Sequence, residues 1–120
     1  MDLSSQRQYI QRAETANEIL TTTGLTTLYT TPSGDDFTFS IVESILVCDH
    51  DNQQTTITVT VVSGGTTYTL FKEYVITAYD TEELLSKSLV LKQGDVLKVQ
   101  ADRAGNLTVY ASIVEYGKGD

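Results

Sequence analysis

Cys48 and His50 are the one thiol and the one imidazole of a 120-residue chain. Residues two apart on a strand point to the same face, so this spacing could bring a thiol and an imidazole together. A reactive thiolate needs an electropositive setting. Asp49 and Asp51 flank the pair and oppose thiolate formation. The plainer reading is a buried cysteine at a strand end beside a polar turn histidine. Zinc would need about four ligands, and this pair supplies two.

Hard cations are the better metal candidates. Asp49, Asp51 and Asn52 offer oxygen ligands, as do Asp35 and Asp36. The segment between the clusters has about a dozen residues, roughly 40 Å as an unbroken strand. The clusters then stand at opposite ends of the domain. Neither has the aspartate-rich loop closed by a distant glutamate that calcium motifs use, and an Asp/Asn-rich turn explains both. Nothing singles out a carboxylate pair for glycoside hydrolysis. A sugar platform would rest on Tyr74 and Tyr79, the two tyrosines read as loop residues, in a chain without tryptophan. Gly64-Gly65 lies between two strand-like runs and not between a strand and a helix, so no phosphate cradle is expected. The chain reads as a non-enzyme without a cofactor.

The elements that must carry these residues are strands. In Gln54–Phe71, Ile57, Val59 and Val61 alternate with Thr56, Thr58 and Thr60; Ser63-Gly64-Gly65 turns the chain, and the pattern resumes from Thr66. This is a β-hairpin with a period-2 apolar face. The other expected strands are 18–22, 25–30, 37–48, 82–85 leading into 89–91, 96–101 and 107–116. The breaks between them carry Gly, Pro, Asp and Asn. About eight short strands at close spacing predict an all-β, jelly-roll-like antiparallel sandwich.

Two strands are apolar on both faces. In 37–48, Phe37, Phe39 and Ile41 share a phase with Ile45 and Val47, Glu43 interrupts it, and Val42, Leu46 and Cys48 fill the other face. Such a strand is central or carries a bulge that swaps its faces. In 107–116, Leu107, Val109, Ala111 and Ile113 oppose Tyr110, Val114 and Tyr116. The second face of these strands needs a cover, either a partner subunit or the N-terminal segment. That segment, residues 1–15, is a polar arm holding two of the three arginines. It reads as a short amphipathic helix, on a capping box at Ser5–Gln8 and helical spacing of Tyr9, Ala13 and Ala16, or as an extended arm. The expected organisation is thus an arm, 1–15, and a sandwich domain, 16–120.

Composition narrows the partners. A net charge of −8 disfavours nucleic acid and anionic membranes. Nineteen threonines suit the wet face of strands. One cysteine leaves no intramolecular disulfide. The N-terminus lacks an apolar signal core and no run approaches the ~20 residues of a spanning helix, so synthesis in a cytoplasm without export by the general secretion route is expected.

Several stretches together are similar to small virion proteins of tailed bacteriophages. They are Thr26-Thr27-Leu28-Tyr29-Thr30-Thr31-Pro32-Ser33-Gly34, the strand ending Ser44-Ile45-Leu46-Val47-Cys48, the run 55–59, and the segments 89–99 and 107–112. The resemblance spans residues 18–116 as a pattern of strands and turns. It implies a β-sandwich found on a virion; the lead reading is a capsid decoration or cement protein that binds the major capsid protein. It equally covers tail, baseplate and fibre-associated adaptors, and a carbohydrate-binding host-recognition module is the rival of another class. Decoration proteins commonly occupy local three-fold axes, so the resemblance implies a homo-oligomer, with a trimer the expected form. Arg7, Tyr9, Ile10 and Arg12 of the arm are the expected partner-binding residues, since Tyr9 and Ile10 have little reason to stand in a solvated tail.

Overall fold

The computed structural model describes residues 9–34 and 36–118. Two antiparallel sheets face each other in a jelly-roll-like sandwich, with no helix among the described residues. The strands are β1 (Tyr9–Ile19), β2 (Thr26–Thr30), β3 (Phe37–Asp49), β4 (Thr55–Ser63), β5 (Thr66–Ile76), β6 (Thr81–Glu83), β7 (Leu89–Lys92), β8 (Val96–Ala101) and β9 (Leu107–Lys118). One sheet runs β1-β9-β3, with the short β6 and β7 one after the other along the far edge of β3; the other runs β2-β8-β4-β5.

The period-2 pattern selects the core. Ile57, Val59 and Val61 of β4, Leu97 and Val99 of β8, and Val109, Ala111 and Ile113 of β9 all point between the sheets and are buried. At the β4–β5 hairpin Gly64 and Gly65 both have positive φ, 58° and 81°. A two-residue turn with both φ positive matches strand twist, and glycine adopts it without a Cβ penalty.

The two-faced strand β3 proves to be central and bulged at once. It lies between β9 and the β6/β7 edge, and its register against β9 slips between Val42 and Ser44, leaving Glu43 over. Ser40 and Val42 therefore face inward before the bulge, and Ile45 and Val47 after it. A second slip between Phe37 and Phe39 separates those two rings. Glu83 of β6 holds the main bulge: its carboxylate accepts the Ser44 hydroxyl and the Ile45 and Leu85 N–H groups. Burial pushes the Glu83 carboxyl up, but these three bonds outweigh it and hold it below the usual range.

The N-terminal segment differs most from expectation. Residues 9–19 form an edge strand paired with β9 from Tyr9–Lys118 to Ile19–Thr108, without a slip. The boundary expected after residue 15 falls inside this strand, and from Tyr9 onward the segment is neither a helix nor a detached arm. The reason is an unpaired β9 edge: its N–H and C=O groups need partners, and β1 supplies them. Every described side chain of β1 except Ala16 is exposed, so no alternating apolar signal marked it. Residues 1–8, including Arg7, lie outside the described residues. Tyr74 also moves: β5 runs on to Ile76, and the Tyr74 ring sits edge-on to Phe71 at 5.9 Å.

Candidate interaction site

The sandwich has two unlike outer faces. On the β2-β8-β4-β5 sheet the outward side chains include Thr56, Thr58, Lys98 and Gln100, and a polar groove of about 370 Å³ opens among Thr23, Thr58, Lys72, Glu73 and Asp102. The outer face of the β1-containing sheet carries two apolar patches, separated by the polar row Ser44, Ser112 and Thr15. Register fixes its rows. Val90 of β7, Ile41 of β3, Val114 of β9 and Ala13 of β1 are successive cross-strand partners, one aliphatic row across the sheet. Beside it Phe39 stacks on Tyr116, centroids 4.8 Å apart and planes 14° off parallel. Past the bulge Leu46 pairs with Tyr110 and Cys48 with Thr108. Val90 is 59% exposed, Tyr110 43% and Leu46 40%. Lys92, Glu43 and Glu83 are the charges on or beside this face. Exposed apolar patches of this kind are a common feature of interaction surfaces.

The two covers considered for this face separate here. From Tyr9 onward the N-terminal segment lies in the plane of the sheet, hydrogen-bonded at its edge, and not across the face. Of the expected contact residues, Ile10 is 55% exposed on β1 opposite Gly117, and Tyr9 begins that strand. Arg12 is occupied. Its Nε and Nη2 donate to Glu115 Oε1 at 2.9 and 2.6 Å, and its guanidinium lies 4.9 Å from the Phe37 ring centroid. The Glu115 bond raises the Arg12 pKa above its ordinary value.

Glu115 is the residue that sequence reasoning missed. It is 3% exposed and points between the sheets, in phase with Val109, Ala111 and Ile113. A buried carboxylate must be paired or heavily hydrogen-bonded. Its other oxygen accepts the Tyr29 hydroxyl of the opposite sheet, and that hydroxyl stands 2.9 Å from Ser40 Oγ. Tyr29 spends its one proton on Glu115, so Ser40 donates to Tyr29. Burial first, then the Glu115 bond, pushes the Tyr29 pKa well above the ordinary tyrosine value. The signal was in the chain: a carboxylate in the inward phase of an apolar strand demands a cation and a donor. This network joins edge strand β1, β3 and β9 of one sheet to β2 of the other.

The thiol, the imidazole and the acidic clusters do not form one site. Cys48 is half-buried on the outer face, not in the core, and His50 is exposed beyond the end of β3. Asp49 is fully buried. Its Oδ1 accepts the Asp51 N–H, and Asp51 Oδ1 accepts that of Asn52, so the acidic turn spends oxygens on its own backbone. Asp49 Oδ2 has no hydrogen-bond partner among the described residues. Asp36 and Asp49 stand at opposite ends of β3, and among the described residues no three His, Cys, Asp or Glu side chains gather as a metal site would require. Tyr79 is 73% exposed in the turn before β6.

No protein-family model and no curated protein sequence matches the chain. Solved structures match in fold. A chain from the structure of Bacillus endospore appendages, described as disulfide-linked pili, superposes with a TM-score of 0.58 at 15% identity, covering 96% of this chain and 92% of that one. A chain of infectious bursal disease virus strain Gx gives 0.55 at 12% identity, covering 93% of this chain but 32% of the viral one. A chain of the acid-stable capsid of Helicobacter pylori bacteriophage KHP30 gives 0.53 at 12% identity, covering 95% and 98%. At these identities the likeness is one of fold.

Proposed function

We propose that the chain is a non-enzymatic structural subunit of a bacteriophage particle, a decoration protein seated on the exterior of the capsid through its apolar outer face. The observation that carries this reading is the row Val90–Ile41–Val114–Ala13 with its stacked Phe39 and Tyr116, open on an otherwise acidic molecule. The opposite, threonine-rich face suits solvent, so the subunit has a docking side and a wet side. Two of the fold matches come from viral particles, and the phage capsid chain matches over nearly its whole length. Arg7, Tyr9 and Ile10, ahead of and within β1, form a second contact segment, while Arg12 holds β1 to Glu115. The subunit is a homo-oligomer in this reading. The three-fold order implied by resemblance has no element behind it among the described residues.

The test is co-sedimentation with empty shells of the encoding phage. Wild type should saturate the shells at a fixed ratio. Val90→Asp puts a charge on an exposed, edge position of the docking row and should abolish binding while the fold stays intact. Binding to tails but not shells would move the subunit to the tail. The carbohydrate reading loses ground because the Tyr74 ring packs against Phe71; saturable glycan binding through Tyr79 would restore it.

A further inference from the structure

Among the described residues the sandwich has four sheet edges, and three are blunted. β6 and β7 are three and four residues long. β2 has five residues and a register slip between Thr27 and Tyr29. β5 is long, but its pairing with β4 slips twice, and Lys72 and Glu73 stand at the break. Glu73 there adopts a φ of 50° and turns its N–H onto Thr58 Oγ1. Bulges, charges and shortness are the devices that keep edges from pairing with other chains. β1 has none of the backbone devices: it runs eleven residues without a slip.

We propose that β1 is a self-pairing edge, which joins two copies of this chain by antiparallel β1–β1 pairing into one continuous sheet about a two-fold axis. The backbone phase allows it. Leu20 N donates to Leu107 O one step beyond the last β1–β9 pair. Even-numbered residues of β1 therefore bond β9, and odd-numbered residues aim their N–H and C=O groups at the free edge.

Side chains choose the register. Opposed residues must share a face, so only registers centred on a residue are allowed. Centring on Arg12 or Glu14 sets like charges opposite each other. Centring on Ala13 sets Arg12, whose Nη1 makes no bond to Glu115, against the partner's Glu14, and Glu14 against the partner's Arg12. These fall at non-hydrogen-bonded positions, where opposed side chains approach most closely. Ile10 then meets the partner's Ala16. The same register continues the outer-face row through Ala13 and the partner's Ala13 to the partner's Val114, Ile41 and Val90. Charge and apolar continuity thus select one register independently. Centring on Thr15 would pair Arg12 with the partner's Glu18 but break the apolar row. The axis stands perpendicular to the sheet, so both apolar faces look the same way and a dimer presents a doubled docking face. The dimer does not depend on that face binding a shell, and its test uses the pure protein alone.

Sedimentation velocity across about 1–100 μM should show a dimer. Ala13→Pro removes an N–H aimed at the free edge, a place where a strand tolerates proline. It should give a monomer with unchanged circular dichroism. Glu14→Lys, at an exposed side chain, should weaken dimerisation at least tenfold without touching the fold. In a Cys48→Ser background, Ala13→Cys should oxidise to a covalent dimer, because opposed Cα atoms stand about 5.5 Å apart, within disulfide reach. Thr15→Cys should not, since its nearest copy lies about 13 Å along the strand. A wild type monomeric throughout would overturn the proposal, as would an Ala13→Pro dimer as strong as wild type. Cross-linking by Thr15→Cys in place of Ala13→Cys would overturn the register.

Discussion

Tyr29→Phe removes one oxygen from the polar network between the sheets, and its cost can be worked from the contacts. Tyr29 is 8% exposed, donates to Glu115 and accepts from Ser40 at 2.9 Å. A hydrogen bond to a charged group contributes about 1.5–3 kcal/mol and a neutral one about 0.5–1.5. Glu115 keeps Arg12, and the ring keeps its packing. The expected loss is about 3 kcal/mol, a fall of about 2 M in the urea midpoint at a slope near 1.5 kcal/mol per M. Tyr68→Phe, at a side chain 54% exposed, is the control and should stay within about 0.5 kcal/mol. The pH dependence is a second arm. The Tyr29 pKa is raised on folding, so its contribution is complete below the ordinary value of about 10 and is lost as pH rises above it. The unfolded tyrosine then releases a proton that the folded one keeps. Above pH ~10 the wild type should lose up to about 1.4 kcal/mol per pH unit through this group, and the variant should not. The two stability curves should converge. Urea midpoints that coincide at neutral pH, or a gap that does not narrow in base, would refute the network's role.

Three more outcomes follow from single contacts. Glu83→Gln should destabilise at neutral pH and match wild type in acid, since a depressed carboxyl pKa stabilises above about 4.3 and the gain is lost as pH falls through the folded value; thermal melts near pH 7 and pH 3 read this. Gly117→Ala should cost about 1–3 kcal/mol in urea, because a Cβ there collides with the Asp36 carbonyl, a backbone atom that cannot turn aside. Millimolar calcium should leave the melting temperature where a chelator leaves it. A real site at ten times its dissociation constant would add about 1.4 kcal/mol, which such melts resolve.

The sequence carried the interior of this fold better than its borders. The hairpin of β4 and β5 and strands β8 and β9 were legible because a core-facing strand must alternate. β3 was legible as an anomaly: Glu43 broke the apolar phase, and the structure makes that break the bulge which turns Ile45 and Val47 inward. The run Ser40-Ile41-Val42-Glu43 of β3 recurs in β9 as Ser112-Ile113-Val114-Glu115, and the two lie against each other, with Ile41 opposite Val114 and Val42 opposite Ile113. β1 was illegible for a physical reason. An edge strand wet on both faces is selected by its backbone bonds, and those leave no trace in side-chain pattern. The inter-sheet network was hidden by distance, since Arg12, Tyr29 and Glu115 meet only once both sheets have formed. The apolar outer face, by contrast, was foreshadowed by the double-faced strands, and pairing β1 in-plane left it open.

The decisive measurement is a binding isotherm on empty phage shells, read by co-sedimentation, for wild type and Val90→Asp side by side. The account predicts saturable wild-type binding at a fixed number of copies per shell. It predicts no binding for Val90→Asp at the same concentrations, with an unchanged melting temperature. Wild-type protein that stays in the supernatant at every concentration, or a variant that binds as wild type does, would contradict it.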